Sequence, residues 1–145
     1  MKRRLAHVSK HAFIFVFASF LGPFAASAVL LLLAAVISVF TAGAGFILLV
    51  VIAFSIGMGA KFYVMFGLPV FALCALLGVR HPFWYLVSGL AAHAISIPLL
   101  PDIIGPTQTV RPDAGIRTIS QWGWVFAPIW GLGFGVVYCG MTVSE

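Results

Sequence analysis

The chain has 145 residues, of which 63% are hydrophobic and only 8% charged, and its formal charge is +5 from eight Lys/Arg and three Asp/Glu. A soluble domain usually carries about a quarter of its residues as charges, so with a mean hydropathy of +1.17 this chain cannot clothe a water-facing surface, and burial in a bilayer is expected. The basic balance does not point to nucleic acid, because no basic stripe with interleaved aromatics runs along the chain.

Lys2, Arg3, Arg4 and Lys10 cluster before the first apolar run. That is the pattern of a cytoplasmic flank under the positive-inside rule, with anionic lipid headgroups as its partner. The N-terminus also imitates a secretory signal, with an apolar stretch from Ala12 to Leu21, a break at Gly22-Pro23 and an A-x-A pattern at Ala26-Ser27-Ala28. Because Val29 to Phe40 continues apolar, an uncleaved signal anchor is expected. Pro23 should kink that helix without exposing backbone to lipid, since a neighbouring helix can satisfy the freed carbonyl.

Thr41-Ala42-Gly43-Ala44-Gly45 reads as a glycine-rich turn. Between Ala12 and Val79 the one charged residue is Lys61, in Gly57-Met58-Gly59-Ala60-Lys61. Lys61 marks either a cytoplasmic turn between two spans or a charge towards the outer part of one long second helix. Lysine snorkels readily to an interface, so neither arrangement requires a buried ammonium. Arg80-His81-Pro82 is a polar break before a third span, and Pro101 to Gln121 reads as a loop before a last one. Trp84-Tyr85 and Trp122/Trp124 fall at span ends, where aromatic belts sit.

Two topologies remain. With four spans and the N-terminus inside, Lys2, Arg3, Arg4, Lys10 and Arg80 lie inside and Arg111 and Arg117 outside. With five spans, only Arg80 lies outside, so the charge distribution favours five. A helix from Gly45 to Val79 would be about 52 Å long at 1.5 Å per residue, against a hydrocarbon thickness of about 30 Å. It would have to tilt, bend at Pro69 or project from the membrane. Tyr63, Gly67 and Pro69, with the small-residue apolar run to Arg80 and the Gly22-Pro23 of the first span, resemble a Y-x-x-x-G-x-P signature. That signature occurs in some small uncharacterised bacterial inner-membrane proteins. The resemblance implies four spans, with the signature in the second, and implies no activity. The expected architecture is therefore an all-α polytopic bundle in a single membrane domain, with spans near 12–40, 45–79, 83–100 and 122–141.

Chemistry is sparse. Asp102, Asp113 and Glu145 all fall outside the spans, which argues against a proton-coupled antiporter or a two-carboxylate membrane hydrolase. Cys74 and Cys139 lie in apolar runs and read as reduced packing residues. His7 and His11 could share a helix face, but metal binding would need further ligands. His93 is mid-span, and Gly89, Ala92, His93 and Ser96 form one small, weakly polar stripe that should face protein. Haem between helices would need a second axial ligand from a dimer or another residue type. Gly131 and Gly135 form a GxxxG pattern, suited to packing within the bundle or to a homo-oligomer.

His93, Lys61 and Tyr63 are the candidate functional positions. No catalytic residue, metal ligand or cofactor is assigned. The reading is a non-enzymatic accessory or partner-binding membrane subunit. The first alternative is a channel or facilitator for a small solute, with His93, Ser88 and Ser96 lining a path helped by Tyr63. The second is a His-dependent haem or redox protein. Four spans with an inside N-terminus place Glu145 in the cytoplasm. A reporter fused behind Glu145 should therefore show cytoplasmic activity, and export-side activity would favour five spans.

Overall fold

The structure is a computed structural model and describes residues 2–41, 46, 50, 59–101 and 112–143. Among the described residues four long helices occur and no strand. Helix α1 is Lys2–Phe40. Helix α2 is Gly59–Leu76, α3 is Pro82–Ser96 with a 3₁₀ turn at Ile97–Leu99, and α4 is Pro112–Val143. Four stretches are long and apolar enough to cross a membrane: Lys10–Phe40, Gly59–Leu76, Pro82–Leu99 and Ser120–Thr142. The chain is thus an all-α, multi-pass membrane protein, with four candidate spans among the described residues. The second expected span, 45–79, lies partly outside the described residues, as do most of the glycine-rich turn after Thr41 and positions 102–111 of the expected loop. That loop is shorter than the sequence suggests, because the chain is already helical at Pro112. Proline is well placed there, since its fixed φ suits a helix and the first turn has no use for its missing N–H.

The hairpin joining α2 to α3 is built by local rules. Gly78 adopts φ +73°, a conformation that glycine takes without strain. It ends α2 with the paired bonds Gly78 N–H to Ala75 O (3.1 Å) and Val79 N–H to Cys74 O (3.0 Å), the Schellman arrangement. His81 caps α3, its Nδ1 accepting from Phe83 N–H at 3.2 Å, and Pro82 occupies the first helical position. Tyr85, expected at an interface, is instead fully buried and donates to Val79 O at 3.2 Å, closing the turn from inside. Trp84 beside it stays exposed.

The core is aromatic and centred on Phe134 of α4, which is wholly buried. Rings of Phe15, Phe71, Tyr85 and Tyr138 surround it at centroid distances of 5.2, 5.0, 5.2 and 5.5 Å, bringing all four helices to one point. Aromatic pairs at such separations add stabilisation beyond area burial. Helix α4 approaches its neighbours on two faces. A Cβ on Gly22 of α1 would lie 2.5 Å from the Phe134 backbone, and one on Gly131 would strike the Tyr85 carbonyl of α3. Gly135 also faces α3, against Pro82. The GxxxG pair Gly131/Gly135 is therefore used inside the bundle.

Two prolines shape α1 and α2, and a tyrosine side chain links the helices beside the first of them. Helix α1 continues through Pro23, which has no N–H to give the Ser19 carbonyl four residues earlier. The Tyr63 hydroxyl donates to that carbonyl at 3.2 Å. In α2, Pro69 likewise cannot donate to Met65 O. Just before it the helix widens into a π turn at Tyr63–Gly67, where Leu68 N–H bonds Tyr63 O. The Tyr63 ring lies over Gly67, where a Cβ would be 3.1 Å from Cδ2. The tyrosine, glycine and proline of the signature thus act together to deliver one hydroxyl to one unmatched carbonyl. Tyr63→Phe should destabilise the bundle by about 1 kcal/mol by leaving Ser19 O unpaired. In a Pro23→Ala background the loss should shrink, because alanine at that position restores the intrahelical donor. Detergent unfolding of the four variants checks this, and equal losses in both backgrounds would refute the pairing.

Candidate functional site

Helices α2, α3 and α4 diverge enough to leave a cavity of about 70 Å³ between them. That is room for a few water-sized groups. Phe62, Tyr63 and Phe66 of α2, His93 and Ser96 of α3, and Trp130 of α4 contribute to its walls. Four glycines, Gly59, Gly67, Gly89 and Gly123, widen it. The surface is mostly aromatic and aliphatic, with the His93 imidazole as the one basic side chain among these walls.

Small-residue spacing on α3 creates the histidine's setting. Gly89, Ala92, His93 and Ser96 are all buried, so the stripe faces protein as expected. Gly89 lies so close to α4 that a Cβ there would strike the Ala127 carbonyl. His93 in turn fills the space left by Gly123, where any Cβ would overlap its ring. Its Nε2 lies 3.1 Å from Ser120 O. A carbonyl can only accept, so Nε2 carries the proton and, in the neutral ring, Nδ1 is the acceptor. Trp124 packs edge-on at 5.1 Å, and Ser96 Oγ donates to His93 O at 2.7 Å. The imidazole is thus held by one turn of α4, Ser120 to Trp124.

The three candidate positions separate. Tyr63 and His93 share the cavity, whereas Lys61 is exposed on another side of α2. Ser96 borders the cavity. Ser88 is engaged elsewhere, donating to Trp84 O at 2.7 Å and lying 3.0 Å from Cys74 Sγ. With its hydrogen directed to Trp84, Ser88 Oγ accepts from the thiol. Sequence reasoning did not single out Trp130, whose ring meets Tyr63 at 5.6 Å and whose Nε1 donates to buried Ser27 Oγ at 3.1 Å. Ser27 belongs to the A-x-A segment, which here lies inside α1. Gly123, between Trp122 and Trp124, was also passed over; a glycine amid bulky residues near a predicted polar stripe was the available signal. Among the described residues no group of three His, Cys, Asp or Glu side chains is placed to hold a metal ion. The side chains of His7 and of the N-terminal cations Lys2, Arg3 and Arg4 lie outside the described residues.

The site belongs to a class that can be stated structurally: a four-span helical membrane bundle with a small aromatic cavity and an internal, hydrogen-bonded histidine. No family model matches the chain, and neither a curated protein nor a solved structure is similar to it.

Gly123→Ala should destabilise the bundle by about 1–3 kcal/mol through overpacking against the imidazole. Adding His93→Ala should recover much of that loss, a non-additivity expected only for side chains in direct contact. Thermal aggregation of the single and double variants in detergent measures it, and additive losses would refute the contact.

Proposed function

We propose that this chain is a non-enzymatic subunit of a bacterial inner membrane, with its N-terminus in the cytoplasm, that acts by docking another membrane protein. The observation that carries this reading is how its interior polar groups are used. Tyr63 to Ser19, Trp130 to Ser27 and His93 to Ser120 each join two helices. Such bonds fix a scaffold, and each donor is already committed to a partner. Chemistry on a bound substrate would call for polar groups held ready instead. The N-terminal cations support the orientation and contact with anionic headgroups. The resemblance through Tyr63, Gly67 and Pro69 supports the same compartment.

A facilitator for a small solute is the second reading, favoured by the cavity that Tyr63, His93 and Ser96 border. Its aromatic walls suit an apolar solute better than an ion or a sugar.

The two readings differ in what contacts the outer surface of α2. A photoreactive residue replacing exposed Val64 should give one discrete protein adduct in native membranes, while the same residue at exposed Phe24 should give lipid adducts. Lipid adducts alone from both positions would refute the docking role.

A further inference from the structure

We propose that the cavity between α2, α3 and α4 is a binding site for a short-chain alcohol, a small neutral molecule whose one O–H donates to Nδ1 of His93 and whose alkyl part lies against the aromatic walls. The inference goes beyond the docking role, which it does not require, and names the solute class for the facilitator reading.

Hydrogen bonding in the cavity walls is unbalanced. The side-chain donors are committed: the Tyr63 hydroxyl to Ser19 O, Trp130 Nε1–H to Ser27 Oγ, the Ser96 hydroxyl to His93 O and His93 Nε2–H to Ser120 O. One strong acceptor is left over. His93 is only 7% exposed, and with Nε2 given to Ser120 its Nδ1 has no partner among the described residues. That lone pair is not sealed off. Among the described residues Ser38 Oγ is the one enclosed side-chain N or O atom without a partner, so a water-sized group reaches Nδ1. The Cε1–Nδ1 edge of the ring lies against Gly123, and both residues are walls of the cavity. Glycine keeps that edge open, since a Cβ there would overlap it. A buried acceptor costs free energy until a donor answers it.

The missing group is therefore a donor, and size and polarity select its kind. A dry cavity of about 150 Å³ takes up benzene. This one, at about 70 Å³, has room for about four heavy atoms. Among the described residues no acidic side chain stands in the walls to hold a cation, and no uncommitted side-chain donor to hold an anion. A water would answer Nδ1 but leave the apolar walls without contacts. An alcohol gives its one O–H to Nδ1 and its alkyl carbons to the rings of Phe62, Phe66 and Trp130.

The test uses the full chain in phosphatidylcholine nanodiscs with ¹⁵N-labelled histidine and tryptophan. The Trp130 indole resonance reports any guest, and the His93 Nδ1 resonance reports a hydrogen bond to it; His93→Phe and Trp130→Phe assign them. Propan-2-ol and acetone share one skeleton and differ in the donor. Propan-2-ol should shift both resonances saturably, with a dissociation constant of about 1–10 mM. Acetone should bind about tenfold more weakly and leave Nδ1 unmoved. In His93→Phe, the Trp130 resonance should respond to the two equally. The comparison in the parent chain needs no variant, so it decides the question even if His93→Phe does not fold. Equal binding of alcohol and ketone overturns the proposal while leaving an apolar solute cavity, and no saturable shift by either removes the solute reading as well. A preference that survives His93→Phe overturns it too. A larger effect from cyclohexanol, which is too big for the cavity and partitions more strongly into lipid, would assign the shifts to the bilayer. An Nδ1 already bonded before addition and unmoved by propan-2-ol would assign the cavity to water only. Either result overturns the proposal. Docking is read separately by the Val64 adduct.

Discussion

The arrangement of this bundle depends on one backbone carbonyl. Pro23 interrupts the hydrogen-bond ladder of α1 and leaves Ser19 O without its intrahelical donor, at a depth where no bulk water is available to replace it. The Tyr63 hydroxyl takes the vacant place. To do so, the tyrosine side chain must reach across to α1, with its ring lying over Gly67. The π turn before Pro69 belongs to the same arrangement. The ring that reaches Ser19 also packs against Trp130, which bonds back to Ser27 on α1. One missing N–H is thereby tied to the relative placement of three helices.

Helix α4 provides the surface on which the others assemble. Lipid tails are as apolar as leucine, so helices gain little from apolar burial as such. Close packing and interhelical hydrogen bonds take its place. Gly133 faces α1 and Gly131 and Gly135 face α3, so two glycine faces on one helix serve two neighbours. Between those contacts lies Phe134, where aromatic rings from all four helices converge. Further towards the start of α4 the helices part, leaving the cavity, with Gly123 admitting His93 at its edge.

Interior and exterior of the bundle are chemically different in a way that bears on function. Inside, the hydroxyl, indole and imidazole groups are committed to partners on neighbouring helices. Outside, α2 presents an apolar ridge headed by a cation.

Much of the architecture was legible in the sequence, because the bilayer imposes a length and a polarity that composition reports directly. The multi-pass helical architecture, the helix start at Pro82 and the inward-facing stripe from Gly89 to Ser96 all follow from local residue pattern, whereas the charge distribution taken alone favoured five spans over four. Pattern also showed that Pro23 would free a carbonyl, since proline lacks an N–H wherever it stands. It could not show which side chain answers it, because Tyr63 is 44 residues away and nothing local to either residue encodes the pairing. The same holds for Gly123 against His93, for Trp130 against Ser27, and for Tyr85, which span-end position suggested as an interfacial residue and packing made part of the core. The uses of Gly131 and Gly135 were left open by sequence, since a GxxxG face serves a neighbour in the same chain or in another equally well. Sequence determined which groups this chain must hide from lipid or satisfy within it. The tertiary structure decided the partners, because interhelical hydrogen bonds and close contacts depend on helix rotation and depth, which no single helix specifies.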